Sequence, residues 1–157
     1  MLYIFDKDGT LIGGASNRPA NTPEEQILLP GVRNKILELI VDGNSVAIAS
    51  NQGGVAWGFI TKEQAEALVL DVAQKLGGVH AWRISPYDPK AAHKYPNGEY
   101  AREDESRKPN PGMLISITDE LGFDPIEAIM VGDQDSDQQA AINAGCAFIW
   151  AKDFFNG

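Results

Sequence analysis

Leu2-Tyr3-Ile4-Phe5-Asp6-Lys7-Asp8-Gly9-Thr10-Leu11 is an apolar run of strand length that ends abruptly in two carboxylates one residue apart and a Gly-Thr turn. An apolar run this short, closed at once by turn residues, reads as a buried strand rather than part of a helix. A second run ends the same way, as Ala128–Val131 passes into Gly132-Asp133-Gln134-Asp135-Ser136-Asp137. A third, Ser45–Ala49, leads into Ser50-Asn51-Gln52-Gly53-Gly54. Ala81–Ser85 and Cys146–Trp150 complete a set of five short strands, most of them rich in β-branched or aromatic residues.

Segments with helical period lie between these strands. Val32, Ile36, Leu39 and Ile40 share one face of a helix that Gly43 stops. Thr61 and Gln64 have the spacing of a capping box, ahead of a buried face of Ala65, Leu68, Val72 and Leu76. Asn110 as a polar cap and Pro111 at the first helical position open a third helix, with Met113, Ile117 and Leu121 at helical spacing. A fourth spans about Asp135 to Ala144 and ends at Gly145. Strands alternating with helices mark an α/β, Rossmann-like three-layer sandwich with a parallel five-stranded sheet. Right-handed crossovers that bring Asp6 and Asp133 to neighbouring strand ends require the order 3-2-1-4-5, strands numbered along the chain. Gly13 to Pro30 and Pro86 to Pro111 show no period and are expected to be loops that serve a site. The 157 residues are read as a single domain, 1–157, with no large cap.

The composition narrows the function classes. A hydrophobic fraction of 43% suits a folded chain. A formal net charge of −9 disfavours nucleic acid and anionic membranes as partners. Cys146 is the only cysteine, so there is no internal disulfide and no thiolate zinc site. No apolar stretch reaches membrane-spanning length, and the charges from Asp6 onward break any signal-peptide core. A cytoplasmic monomer is the expectation.

If the first and fourth strands are neighbours, Asp6, Asp8 and Asp133 converge on one point. Carboxylates so crowded repel by several kcal/mol unless a cation lies between them. Oxygen donors alone suit a hard ion, Mg2+. The plainer readings are a solvated acidic turn at Asp6–Gly9 and a helix N-cap at Asp135 or Asp137. Ser50 and the turn amides after it have the chemistry of phosphate ligands. Arg107 and Lys108 lead into a helix N-terminus and bring positive charge to the same sheet edge.

In chain order, Asp6-x-Asp8-Gly9-Thr10, the strand-end hydroxyl Ser50, Lys108 before a helix, and Gly132-Asp133-x-x-x-Asp137 resemble the haloacid dehalogenase (HAD) superfamily of phosphohydrolases. The string Ser50 to Ala56, with Arg107-Lys108-Pro109 and Gly112-Met113, is similar to its small, cap-poor branch. That branch holds heptose bisphosphate and histidinol phosphate phosphatases and polynucleotide 3′-phosphatases. The resemblance implies a phosphomonoester hydrolase working through an aspartyl phosphate on Asp6, with Asp8 as general acid and base. It implies a metal held by Asp6, the Asp8 carbonyl and Asp133, with Asp137 or Asp135 in support. It implies a phosphoryl group held by Ser50, Asn51 and Lys108, with Lys108 also offsetting transition-state charge, and a further anionic group on Arg107. The substrate implied is a small phosphorylated metabolite such as a sugar phosphate; a nucleic-acid 3′-phosphatase is the alternative. A phospho-accepting receiver-type domain shares the acidic pocket, but there the acidic pair and the acceptor lie apart. The match departs from the branch in two places. Before Arg107, where many members carry zinc-binding cysteines and a histidine, only His93 stands. Trp57 occupies a position that is often arginine in relatives; it either lines the substrate mouth or, as is more usual for a lone Trp, is buried.

Overall fold

The computed structural model describes residues 1–13 and 20–156. Its main sheet is built from β1 (Leu2–Phe5), β4 (Ser45–Asn51), β5 (Ala81–Ser85), β6 (Ala128–Gly132) and β7 (Ala147–Trp150). All four pairings are parallel, and the spatial order is β5-β4-β1-β6-β7. This is the expected 3-2-1-4-5 order, with β1 at the centre between β4 and β6.

Alternation along β1 divides the core in two. Phe5, with Val46, Ile48 and Val131, faces α1 (Val32–Val41) and α2 (Lys62–Lys75) through Ile36, Leu39, Val69 and Val72. Leu2 and Ile4 face the other way, onto Met113, Leu114 and Ile117 of α3 (Gly112–Leu121) and Ala140 and Ala141 of α4 (Asp135–Ala144). Ala47, Ala49 and Ala128 share that second face, so small side chains line both sides of the contact. Helices therefore cover both faces of a sheet buried on each side, as parallel strands require.

The α2 start is as its sequence demands. Thr61 Oγ1 accepts from Gln64 N at 3.1 Å, and Gln64 Oε1 accepts from Thr61 N at 2.8 Å. Two other helix starts differ from expectation. α3 begins at Gly112, one residue later, because Asn110 turns its amide to the Asp104 carbonyl instead of capping. Neither Asp135 nor Asp137 is the cap of α4; Gln134 holds that position, and the Asp137 carboxylate reaches back to the amides of Asp133 and Gln134 at 3.1 Å each.

The expected loops carry more structure than their patterns show. Ile12–Gly13 (β2) and Ile27–Leu28 (β3) form a two-residue antiparallel ribbon, and Pro23–Glu25 is a 3-10 turn. Residues 14–19 of that expected loop lie outside the described residues. In the second loop, Pro89–His93 is a 3-10 turn capped by Asp88. The Tyr87 and Tyr100 rings meet edge-on at 5.4 Å, and the Arg102 guanidinium lies 4.4 Å from the Tyr87 ring centre. Tyr95, Glu99 and Glu103 of the same loop are exposed. A short helix that periodicity did not reveal, α5 (Ala151–Asn156), sets Phe154 and Phe155 against Phe5, ring centres 5.5 and 6.0 Å away.

Ile4 is fully buried at the centre of the second core, whereas Ile126 is 78% exposed. Ile4→Ala should cost about 2–5 kcal/mol of unfolding free energy, read as a lower denaturant midpoint at unchanged slope. Ile126→Ala should stay within about 0.5 kcal/mol in the same titration.

Candidate active site

β1 and β6 run side by side, so their carboxyl ends deliver Asp6 and Asp133 to one place, and the Asp6 amide completes the pairing by donating to the Val131 carbonyl at 3.0 Å. Carboxylate oxygens of Asp6, Asp133 and Asp137 all lie within 4.8 Å of one another. One ammonium serves this group. Lys108 Nζ donates to Asp137 Oδ1 at 2.6 Å, Asp6 Oδ1 at 2.8 Å and the Ala49 carbonyl at 2.9 Å, which uses all three of its N–H bonds.

Each carboxylate has a distinct setting. Asp137 is committed on both oxygens, one to Lys108 and the other to the two amides at the start of α4. Asp133 receives Thr10 Oγ1 at 3.3 Å and Gln134 Nε2 at 3.1 Å. Asp6 is buried, and its pKa is raised to about 7: desolvation outweighs the opposing pull of Lys108, and the Asp137 charge adds to the rise. Lys108 is itself raised, because attraction from Asp6 and Asp137 overcomes the burial that would lower it.

Two glycines allow the close packing. Gly9 has φ +85°, and a Cβ there would run into the Asp133 carboxylate. At Gly132 a Cβ would meet the Asp137 side chain. The Gly residues that follow Asp8 and precede Asp133 are thus dictated by contact.

Asp8 lies apart from the close trio and is half-buried. Its Oδ1 accepts from Lys7 Nζ at 3.2 Å and its Oδ2 from Gln52 Nε2 at 3.3 Å. Ser50, buried within β4, accepts from the same Gln52 Nε2 at 2.7 Å. Asn51 spends both ends of its amide on the main chain of Lys108, donating to its carbonyl and accepting from its N–H, each at 3.0 Å. β4 extends through Ser50 and Asn51, two residues beyond the expected strand, because their pairing with Ile84 and Ser85 continues.

Arg107 lies at the edge of the site. It donates to the Tyr87 carbonyl at 2.7 Å and stands 3.9 Å from Asp88. Asp88 also accepts from Trp57 Nε1 at 3.0 Å, so Trp57 is half-buried, its ring packed on the small cluster of Ala56, Ala91 and Ala101 and its N–H at a polar junction. Gln52, Thr10, Lys7 and Asp88 are members of the site that sequence reading missed; single polar residues at turns carry no periodic signal.

Two cavities flank the carboxylates. The larger, about 590 Å³, has Asp133 and Gly9 at its base and an apolar wall of Trp150, Leu29 and Phe155. The smaller, about 320 Å³, is lined by Asp8, Asn51, Gln52, Gly53 and Phe59. The smaller thus takes in Asp8 and the Asn51-to-Gly54 turn, and the larger takes in Asp133.

Comparison with known proteins agrees with this geometry. Residues 105–153 match the HAD-hydrolase-like family. The chain is 31% identical over 148 residues to the D-glycero-beta-D-manno-heptose-1,7-bisphosphate 7-phosphatase of Haemophilus influenzae, covering 90% of this chain and 75% of that protein. It is 30% identical to the Escherichia coli enzyme of the same name, covering 90% and 73%. The crystal structure of D,D-heptose 1,7-bisphosphate phosphatase from B. bronchiseptica, complexed with magnesium and phosphate, superposes with a TM-score of 0.78 at 32% identity, over 94% of this chain and 78% of that one. The chain belongs to the HAD superfamily. Within it, the chain is a phosphatase.

The raised pKa of Asp6 makes a prediction about the metal-free protein. A carboxylate raised above its unfolded value stabilises the fold below about pH 4 and loses that contribution as pH rises through about 7. In chelator, Asp6→Asn should therefore gain stability over the unmodified chain as pH goes from 5 to 8, by about 2–3 kcal/mol. Denaturant titrations of both proteins across that range measure the difference.

Proposed function

We infer that the chain hydrolyses a small phosphorylated metabolite, a sugar phosphate, with Asp6 as nucleophile and a magnesium-type divalent ion beside Asp6 and Asp133. The observation that carries this reading is the knot of Lys108 between Asp6 and Asp137, with Asp133 alongside, at the carboxyl ends of adjacent strands. The residues fit a hard cation. Among the described residues, one ammonium lies among three carboxylates and bonds only two of them, Asp6 and Asp137, and the excess negative charge, on oxygen donors alone, favours a divalent ion. Asp6, Asp133 and the Asp8 carbonyl would hold it, with Asp137 kept back by its own full set of bonds. When bound, it supplies charge neutralisation between an anionic nucleophile and an anionic substrate.

Asp6 attacks phosphorus as the bond to the leaving oxygen breaks, and Asp8 gives that oxygen a proton. The products of this half-reaction are an aspartyl phosphate and the free alcohol. Asp8, now ionised, takes a proton from the water that attacks the phosphorus, and inorganic phosphate leaves. Lys108 and Ser50 hold the phosphoryl oxygens, and Lys108 must exchange one of its three present bonds to do so. Asn51 serves the phosphoryl group through Lys108, whose backbone it fixes. The relatives act by name on heptose 1,7-bisphosphate, and Arg107, at the edge of the site, is suited to a second anionic group of that kind.

Phosphate release from heptose 1,7-bisphosphate, sugar monophosphates and a 3′-phosphorylated oligonucleotide, each with magnesium or with chelator, tests the reading. The expected result is magnesium-dependent release from a sugar phosphate, lost by about 10³-fold or more in Asp6→Asn while unfolding stays cooperative. Preference for the oligonucleotide would move the substrate class; full activity in Asp6→Asn would remove the nucleophile assignment.

A further inference from the structure

Lys7 stands between the two aspartates of the site and takes no part in the steps above, yet its side chain is fully buried. Its ammonium has two partners, Asp8 Oδ1 at 3.2 Å and Gln26 Oε1 at 2.6 Å. Gln26 is buried too, and accepting from Lys7 fixes which way its amide faces. Its Nε2 donates to the Leu68 carbonyl and to Asp71 Oδ2, both at 2.8 Å. Asp71 pairs with Lys75 at 2.7 Å, one turn further along α2, and Lys75 returns to the Gln26 carbonyl at 2.8 Å. An unbroken polar chain thus runs from Asp8 through Lys7 and Gln26 to two residues of α2.

Stability alone accounts poorly for this arrangement. A buried ion pair is often no better than a well-packed apolar pair, and here a fully buried cation is matched to a carboxylate whose side chain is 32% exposed. The chain of bonds does, however, restrain a carboxylate that packing leaves half free. Gln52 holds Asp8 Oδ2 only at 3.3 Å and shares its amide with Ser50. Oδ1 faces a cation and is the wrong oxygen to carry a proton, so Oδ2 is left as the one that exchanges it.

We propose that Lys7 is a positioning residue for Asp8, braced by Gln26 against α2, and that it fixes Asp8 Oδ2 as the oxygen that gives a proton to the leaving group and later takes one from water. The proposal rests on the acid–base reading of Asp8. It makes Lys7 matter most where proton donation limits the rate. A p-nitrophenyl leaving group departs without much protonation, whereas an alkoxide needs it.

The test compares kcat/KM for p-nitrophenyl phosphate with that for an alkyl phosphate such as glycerol phosphate, in magnesium. Lys7→Met should lose about 10- to 100-fold more on the alkyl ester than on the aryl ester. Gln26→Leu should show the same split to a lesser degree, and it carries the test if Lys7→Met does not fold. Asp8→Asn should show the split at full size, and adding Lys7→Met to it should cost little more, because the two act as a unit. Equal losses on both esters in Lys7→Met and Gln26→Leu, or additive losses in the double variant, would overturn the positioning role while Asp8 keeps its own. Absence of any split in Asp8→Asn would instead remove the acid–base reading, and the proposal with it.

Discussion

The site depends on one buried ammonium. Lys108 is enclosed by two carboxylates and a strand carbonyl, and a charge so placed is tolerable only if every N–H bond is used and the opposing charges are close. That condition reaches far into the fold. It requires β1 to supply Asp6, β4 to supply the Ala49 carbonyl, and the start of α4 to supply Asp137. The central position of β1 between β4 and β6 meets that need, setting the end of β1 beside the Ala49 carbonyl on one side and the β6–α4 turn on the other.

The charge balance also explains how burial is used. Asp137 is the most heavily bonded of the trio, and its place in the first turn of α4 lets backbone amides and the helix dipole share its charge. Asp6 has a single protein partner for its charge and is pushed toward the neutral form by desolvation. The two residues sit a few ångströms apart in different settings: one is a fully bonded counter-ion, the other a buried carboxyl group that leans on a single ammonium. Their difference comes from what the backbone offers each of them.

Much of this was legible in the sequence. The strand-end carboxylates, the Gly-Thr turn and the order of the four motifs gave the sheet order and the convergence of Asp6 with Asp133. Apolar spacing gave the buried faces of α1 and α2, and the capping box of Thr61 and Gln64 gave the α2 start. What stayed hidden has physical causes. The start of α3 moved because Asn110 found a better acceptor in the Asp104 carbonyl, a competition between local and tertiary bonds that spacing does not reveal. α5 is too short to display a period, and it exists because Phe154 and Phe155 have Phe5 to pack on. Trp57 looked like a core residue by type, but its indole N–H needed a partner and found Asp88. No pattern in the sequence marks Lys7 and Gln26 as partners; they meet through a contact that spans 19 residues and is braced on α2.

Asn51 has a further implication. By grasping the Lys108 main chain with both ends of its amide, it does for one residue what a neighbouring strand does for several. The lysine is therefore registered against β4 by a side chain of β4 itself, and its position is not inherited from the twenty or so residues that lead up to it. The segment from Tyr87 to Arg102 has aromatic and cationic contacts of its own, and it meets the lysine's neighbour where Arg107 donates to the Tyr87 carbonyl. A strain that arises in the segment therefore arrives at the lysine through Arg107, and the two bonds of Asn51 are what resist it.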